Sequence, residues 1–198
     1  MKVIKIVSQD ALMQNSYVIC TNNTTILIDC GATLKHTREE FSRQTNGLDL
    51  PKIDAILLTH CHFDHICGLK EFDKTFACPI YIKKGFASYI SSPLYNASFM
   101  CHDKLTYQPK LIKEITETPF MVGDIKIMPI FTPGHTSCSV CYKIDDIIFT
   151  GDTLFYLGVG RCDLPSGNNQ ELNDSLNKLA TIDYSLAYPG HGIPFTKP

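Results

Sequence analysis

The sequence predicts an α/β fold in a single domain, two sheets face to face with helices on their outer sides, and three observations predict it. Strand-like runs come in two series, Val3 to Asp29 and Phe120 to Phe149, and each series is followed by a stretch of helical periodicity. The near-continuous apolar segment Ile53-Asp54-Ala55-Ile56-Leu57-Leu58-Thr59 has the composition of a strand buried on both faces. The chain has 198 residues, 44% of them hydrophobic, which is enough for one core and does not call for a second.

Each element follows from its own pattern. Val3 to Val7 reads as a short strand rather than a signal peptide, and Tyr17 to Cys20 and Thr25 to Asp29 continue the first series. A helix is predicted from about Leu34 to Arg43, and a second one starts near Cys67-Gly68-Leu69. Pro79 to Ile82 is a further strand. Ser91 to Glu117, with Pro93 and Pro109, is polar and reads as irregular. After the second strand series, Leu172, Leu176 and Leu179 recur at helical spacing within Asn169 to Leu179.

Composition narrows the functional classes. No apolar run approaches a bilayer span, so no membrane association is expected and the cytoplasm is the predicted location. A net charge of −2 leaves no basic stripe for phosphate backbones, so nucleic acid is not an expected partner. Nine Cys, an odd number with no export signal, read as reduced thiols. Cys138 and Cys141 form the one C-x-x-C pair, and in a strand they point to opposite faces, which predicts ordinary burial. His36 and His102 read as surface or loop residues.

The chemistry sits just after the buried strand. His60-Cys61-His62-Phe63-Asp64-His65 places three of the chain's seven His and a carboxylate within six positions. His60 and His62 lie two apart at a strand end and point the same way, with Cys61 predicted to face the core. Asp64 and His65 follow as the chain turns, so one segment can seed two adjacent metal positions. Three later segments supply more donors, each after a strand-like run and each beside a Gly: Thr132-Pro133-Gly134-His135, Thr150-Gly151-Asp152-Thr153 and Tyr188-Pro189-Gly190-His191. Loops at strand ends are thereby expected to converge on one rim.

This order of motifs, H-x-H-x-D-H, a lone His, a Gly-Asp-Thr and a Pro-Gly-His, resembles the metallo-β-lactamase superfamily. Thr132 to His135, Gly151 to Phe155, Gly158 to Asp163 and Tyr188 to Gly192 look like its short glyoxalase II branch. The resemblance runs from Asn15-Ser16-Tyr17 and Ile28-Asp29-Cys30-Gly31 to Gly192, and it implies the αββα sandwich of the metallo-β-lactamase type. It also implies two divalent metal ions, zinc in the first place with iron or manganese as options. His60, His62 and His135 would hold one, Asp64, His65 and His191 the other, and Asp152 would bridge them. Asp64 is in addition a candidate to orient the nucleophile. In the true β-lactamases of the family the position of Asp152 is typically a Cys, so a carboxylate here points toward thioester hydrolysis, as of S-lactoylglutathione.

Arg161 in Gly158-Val159-Gly160-Arg161-Cys162-Asp163 matches a basic residue that contacts glutathione in glyoxalase II, so it is a candidate substrate-binding residue; a clamp on Asp163 or Asp152 is the competing role. The chain ends seven residues after His191, so the C-terminal helical domain that binds glutathione in longer relatives is not expected, and Gly192-Ile193 stands where a Tyr usually follows the last His. Three classes compete: a thioester hydrolase acting on a small molecule, a persulfide dioxygenase with a single iron, and another metallohydrolase such as a lactonase or nuclease. A non-catalytic metal-binding module is the bland alternative.

Overall fold

The computed structural model describes residues 1–197. The first sheet contains β1 (Lys2–Val7), β2 (Asn15–Cys20), β3 (Thr25–Ile28), β4 (Ala55–Leu57), β5 (Ile80–Lys83) and β6 (Ile112–Ile115), in that spatial order. β1, β2 and β3 are antiparallel, and β3 to β6 are parallel. The second sheet begins with β7 (Phe120–Val122), β8 (Ile125–Phe131), β9 (Val140–Ile144) and β10 (Ile147–Gly151). A small hairpin, β11 (Leu154–Phe155) with β12 (Gly158–Val159), follows. β13 (Leu186–Pro189) and β14 (Phe195–Thr196) then complete the sheet in the order β14-β13-β10-β9-β8-β7. The helices are α1 (Leu34–Gln44), α2 (Phe63–Ile66), α3 (Leu69–Phe76) and α4 (Asn169–Thr181).

Side-chain alternation along the strands builds the layers. Tyr17, Ile19, Ile26, Ile28, Ala55 and Leu57 point from the first sheet into the gap between sheets, where they meet Ile125, Ile127, Val140, Tyr142 and Phe149. The residues between them, Val18, Leu27 and Ile56, face outward and pack with Leu34 and Phe41 of α1 and Leu69 and Phe72 of α3. Cys141 and Ile148 face the other way, onto Leu179 of α4. The result is helix, sheet, sheet, helix. It is the predicted αββα sandwich. Thr33 and Asn168 cap α1 and α4, their side-chain oxygens accepting from His36 N and from Gln170 N and Glu171 N.

Some expectations need correction. The stretch read as irregular contains β6, whose apolar residues Ile112 and Ile115 are three apart and so carry no period-two signal; pairing with β5 defines this strand. The third strand stops at Ile28 rather than Asp29, because Asp29 has φ +55°. The turn expected at Asp64 and His65 is the one-turn helix α2, which begins immediately after His62. His36 sits on α1, its Nε2 2.9 Å from Val7 O, while His102 is exposed as expected. Cys138 and Cys141 are both buried, as expected, but only Cys141 lies in a strand; Cys138 sits in the turn before β9, and the two belong to different packing clusters.

Parallel strands put their C-terminal ends on one edge. β3 and β4 deliver Asp29 and Thr59 there, and β10 and β13 deliver Gly151 and Pro189 from the second sheet. Tyr17 Oη donates to Pro189 O at 2.6 Å and Asn15 N to Gly190 O at 2.7 Å, which fixes the two sheets against each other at that edge.

Candidate metal centre

All seven predicted donors meet at this edge. His60, His62 and His135 offer ligand atoms within 4.8 Å of one another, as do Asp64, His65 and His191, and as do His60, His65 and Asp152. Beyond β4 the chain bends at Thr59 and runs without regular structure to His62, and both imidazoles reach the edge. Cys61 points the opposite way into the helix-side core, with no exposed surface and its thiol against Cys138. The single turn of α2 then swings Asp64 and His65 toward the same point.

Asp152 stands between the two triads. One carboxylate oxygen is 3.2 Å from His65 Nε2, and the other is 3.6 Å from His135 Nε2 and 3.5 Å from His191 Nε2. His191 Nε2 lies 3.2 Å from Asp64 Oδ2. Two glycines make this crowding feasible. Gly151 turns the chain at φ +49°, and a Cβ at Gly190 would fall 2.2 Å from Asp152 Oδ1 and 2.7 Å from His65 Cε1. The Gly beside each donor is therefore a requirement of close approach.

Four imidazoles are oriented by oxygen atoms behind them. His135 Nδ1 donates to Arg161 O at 2.7 Å and His191 Nδ1 to Leu12 O at 2.9 Å; a carbonyl only accepts, so each proton sits on Nδ1. His65 Nδ1 donates to Asp29 Oδ2 at 2.8 Å. Thr59 Oγ1 donates to the same carboxylate at 2.7 Å and accepts from His60 Nδ1 at 3.1 Å. In every case Nε2 is the ring nitrogen that faces inward. His62 faces inward with Nδ1, 2.9 Å from His135 Nε2.

This donor set fits a divalent cation. His60 Nε2, His65 Nε2 and Asp152 Oδ1 are buried without a hydrogen-bond partner, and orphaned buried polar atoms of this kind each cost about 1–3 kcal/mol. Nitrogen and carboxylate donors converging from several loops are the chemistry that zinc, iron or manganese accepts. Burial holds His60 and His135 below the usual imidazole range and takes His62 down to about 3, so all three are neutral ligands. At His65 and His191 burial pushes the same way, but the carboxylates outweigh it. Asp152, Asp64 and Asp29 hold His65 well up, and hydrogen bonds to Asp152 and Asp64 take His191 to about 9. Burial alone would raise Asp152, yet the facing imidazoles hold it well down. The carboxylates thus demand positive charge, which protons supply in the free protein and a dication would supply in the loaded one.

A cleft of 220 Å³ opens onto these donors, walled by Leu12, Phe63, Met100 and Leu164, with Arg161 as its one Lys or Arg. The Arg161 guanidinium is exposed and forks onto Asp163, with Nε to Oδ1 at 2.6 Å and Nη2 to Oδ2 at 2.7 Å. Of the two roles weighed for Arg161, the clamp on Asp163 is the contact present, and the main chain of Arg161 touches the site by holding His135. Sequence reasoning gave no role to Asp29, Thr59 or Leu12. Asp29 had a detectable signal, a lone carboxylate ending the apolar run Ile26-Leu27-Ile28; Leu12 acts through its carbonyl and had none.

The comparisons with known proteins agree with this geometry. The family model for the metallo-beta-lactamase superfamily matches residues 10–191. Probable metallo-hydrolase MJ0888 of Methanocaldococcus jannaschii is 36% identical over 185 residues, 90% of this chain and 87% of that one. Among solved structures, BLEG-1 B3 metallo-beta-lactamase superposes with a TM-score of 0.86 at 26% identity, covering 98% of this chain and 94% of the other. TTHA1623 in a di-iron-bound form gives 0.76 at 25% identity, with 96% and 93% covered. The chain belongs to the metallo-beta-lactamase superfamily.

Proposed function

We propose that this chain is a hydrolase using two divalent metal ions to cleave thioesters, with S-lactoylglutathione as the reference case from the short glyoxalase II-like branch. One observation carries the reading. Five of the seven metal donors, His62, Asp64, His135, Asp152 and His191, line the cleft, and among the described residues its lining includes no Lys, Glu, Tyr or Cys to protonate a leaving group. A thiolate leaves without such help, because its conjugate acid has a pKa of about 8.5. An alkoxide or amine does not.

Metal ions bound here would lower the pKa of water toward neutrality and polarise the scissile carbonyl. The chain's own residues do the rest. His60, His62 and His135 would hold one ion and Asp64, His65 and His191 the other, with Asp152 shared. Asp29 and Thr59 keep the His65 and His60 rings aimed inward. Asp64, at the floor of the cleft beside His191, is placed to accept a hydrogen bond from the attacking water and align it with the carbonyl. The apolar walls Leu12, Phe63 and Leu164 exclude bulk water, which strengthens the electrostatics inside. The di-iron form of TTHA1623 supports a dinuclear reading and keeps iron beside zinc as the resident metal.

The likeness to BLEG-1 favours a second reading, hydrolysis of a cyclic amide such as a β-lactam. Its leaving nitrogen needs a proton, and Asp64 is the lone carboxyl besides Asp152 in the lining. Metal analysis of the purified protein, paired with turnover of S-lactoylglutathione, a simple acyl thioester and a penicillin, tests both readings. Two metals per chain with thioester turnover is the expected result. One iron with oxygen uptake on a persulfide, or penicillin cleavage above thioester cleavage, would displace it.

A further inference from the structure

A second depression of 400 Å³ adjoins the metal cleft, and His191 lines both. Phe155, Tyr156, Leu157 and Gly158 form it on one side and Ile193 on the other. Among the described residues, no charged side chain besides His191 belongs to it. Leu157 is 88% exposed, Ile193 57% and Tyr156 54%, so the depression is a shelf of uncovered hydrocarbon beside the reaction centre. The Phe155 ring stands edge-on to His191 with centroids 6.1 Å apart, so the shelf is continuous with a metal donor. A peptide-like thiol such as glutathione would instead need fixed cations for its carboxylates. The one guanidinium at the cleft is already forked onto Asp163.

We propose that this shelf is the subsite for an apolar arm of the substrate, an alkyl or aryl group carried on the acyl or the thiol side of the thioester. The preferred substrates are then medium-chain or aromatic thioesters rather than glutathione conjugates. This rests on the thioester reading above. Burying hydrocarbon there contributes to affinity per unit area, so specificity takes the form of a chain-length slope.

The test uses the metal-loaded protein and two substrate series: N-acetylcysteamine thioesters with acyl groups from acetyl to octanoyl, and acetyl thioesters of alkanethiols from ethyl to octyl. In one of the two, kcat/KM is expected to rise about two- to fourfold per methylene until the shelf is filled. The steeper series tells which side carries the arm. Gly158→Phe supplies the variant, since a Cβ added at Gly158 meets nothing within 4 Å and the ring would fill the shelf without disturbing the fold. The octanoyl-to-acetyl or octyl-to-ethyl ratio should fall tenfold or more, with metal content and melting temperature unchanged.

Flat series on an active thioesterase, or a preference for S-lactoylglutathione over octanoyl thioesters, would overturn the proposal. If no thioester is cleaved, the thioester reading has failed by itself. The shelf is then judged by calorimetric binding of the non-hydrolysable thioether S-octyl-N-acetylcysteamine. Binding that Gly158→Phe weakens tenfold supports it, and binding that is absent or equal in both proteins sinks it.

Discussion

The two halves of the metal centre are built from different electrostatics. The triad of His60, His62 and His135 is entirely imidazole, buried to 1%, 4% and 3% exposure, and burial keeps its members neutral. The triad of Asp64, His65 and His191 contains a carboxylate, and its histidines are drawn toward the protonated state. Its outer member, the His191 side chain, is 26% exposed and faces the open shelf. The first half is a closed nitrogen cage set by desolvation, and the second is an anionic, more open pocket set by charge. The Asp152 carboxylate joins the halves, lying within 3.6 Å of His135 on one side and of His65 and His191 on the other.

The largest effect should come from removing what the halves share. Asp152→Ala is expected to lower bound metal from two per chain toward one and to cut hydrolysis by orders of magnitude while the far-ultraviolet circular dichroism is kept. Retention of two metals with near-normal turnover would falsify the bridging role. Asp152→Cys should keep a bridge but shift metal preference toward zinc over iron and manganese, read by competitive loading.

The orienting layer comes next and bears on the two halves unequally, since Asp29 holds His65 directly and His60 only through Thr59. Asp29→Asn leaves His65 without its carboxylate acceptor, and loss of such a partner weakens metal affinity about 10- to 100-fold. Titration should show the metal held by His65 weakened more than the metal held by His60. Equal weakening of both would mean the halves are not separable.

The chelated protein separates them by pH. His62 has its folded pKa at about 3 against an ordinary 6.5, so its contribution is fully present above about 6.5 and drains as the pH falls toward 3. His191, raised from 6.5 to about 9, behaves oppositely: its contribution is present below 6.5 and is lost as the pH rises through about 9. Melting temperature against pH should fall on both sides, with His62→Gln flattening the acid wing and His191→Gln the alkaline one. A single-sided profile would contradict the division.

The smallest effect belongs to Arg161→Ala. Its pair with Asp163 is solvent-exposed on both sides, at 60% and 68%, and exposed ion pairs contribute little. Melting temperature is expected to move by about 2 °C or less. A selective tenfold rise in KM for S-lactoylglutathione would show that the guanidinium leaves Asp163 to hold substrate, and would weigh against the apolar shelf.

Much of this centre was legible because its donors sit in short, tightly spaced motifs. The two-residue spacing of His60 and His62 dictates that both face one way and that Cys61 faces the core, and both hold. What stayed hidden works through backbone or through context. β6 has no periodicity of its own and exists because β5 offers it a free edge. Leu12 and Arg161 orient donors through carbonyls, which every residue has. The shelf depends on Ile193 lying across from Leu157, thirty-six positions apart in sequence, and composition says nothing about such a meeting.

By itself, then, the sequence determined the layered α/β architecture and the seven donors, because alternation, helical spacing and clustered imidazoles are local patterns that survive without knowledge of their surroundings. The tertiary structure decided which donors share a carboxylate, which are neutral and which carry charge, since those depend on distances of 3–4 Å between loops from two different sheets. It also decided the partner of Arg161. Local spacing left that guanidinium a choice of acceptors, and only the path of the loop brings its fork onto Asp163 and its carbonyl onto His135.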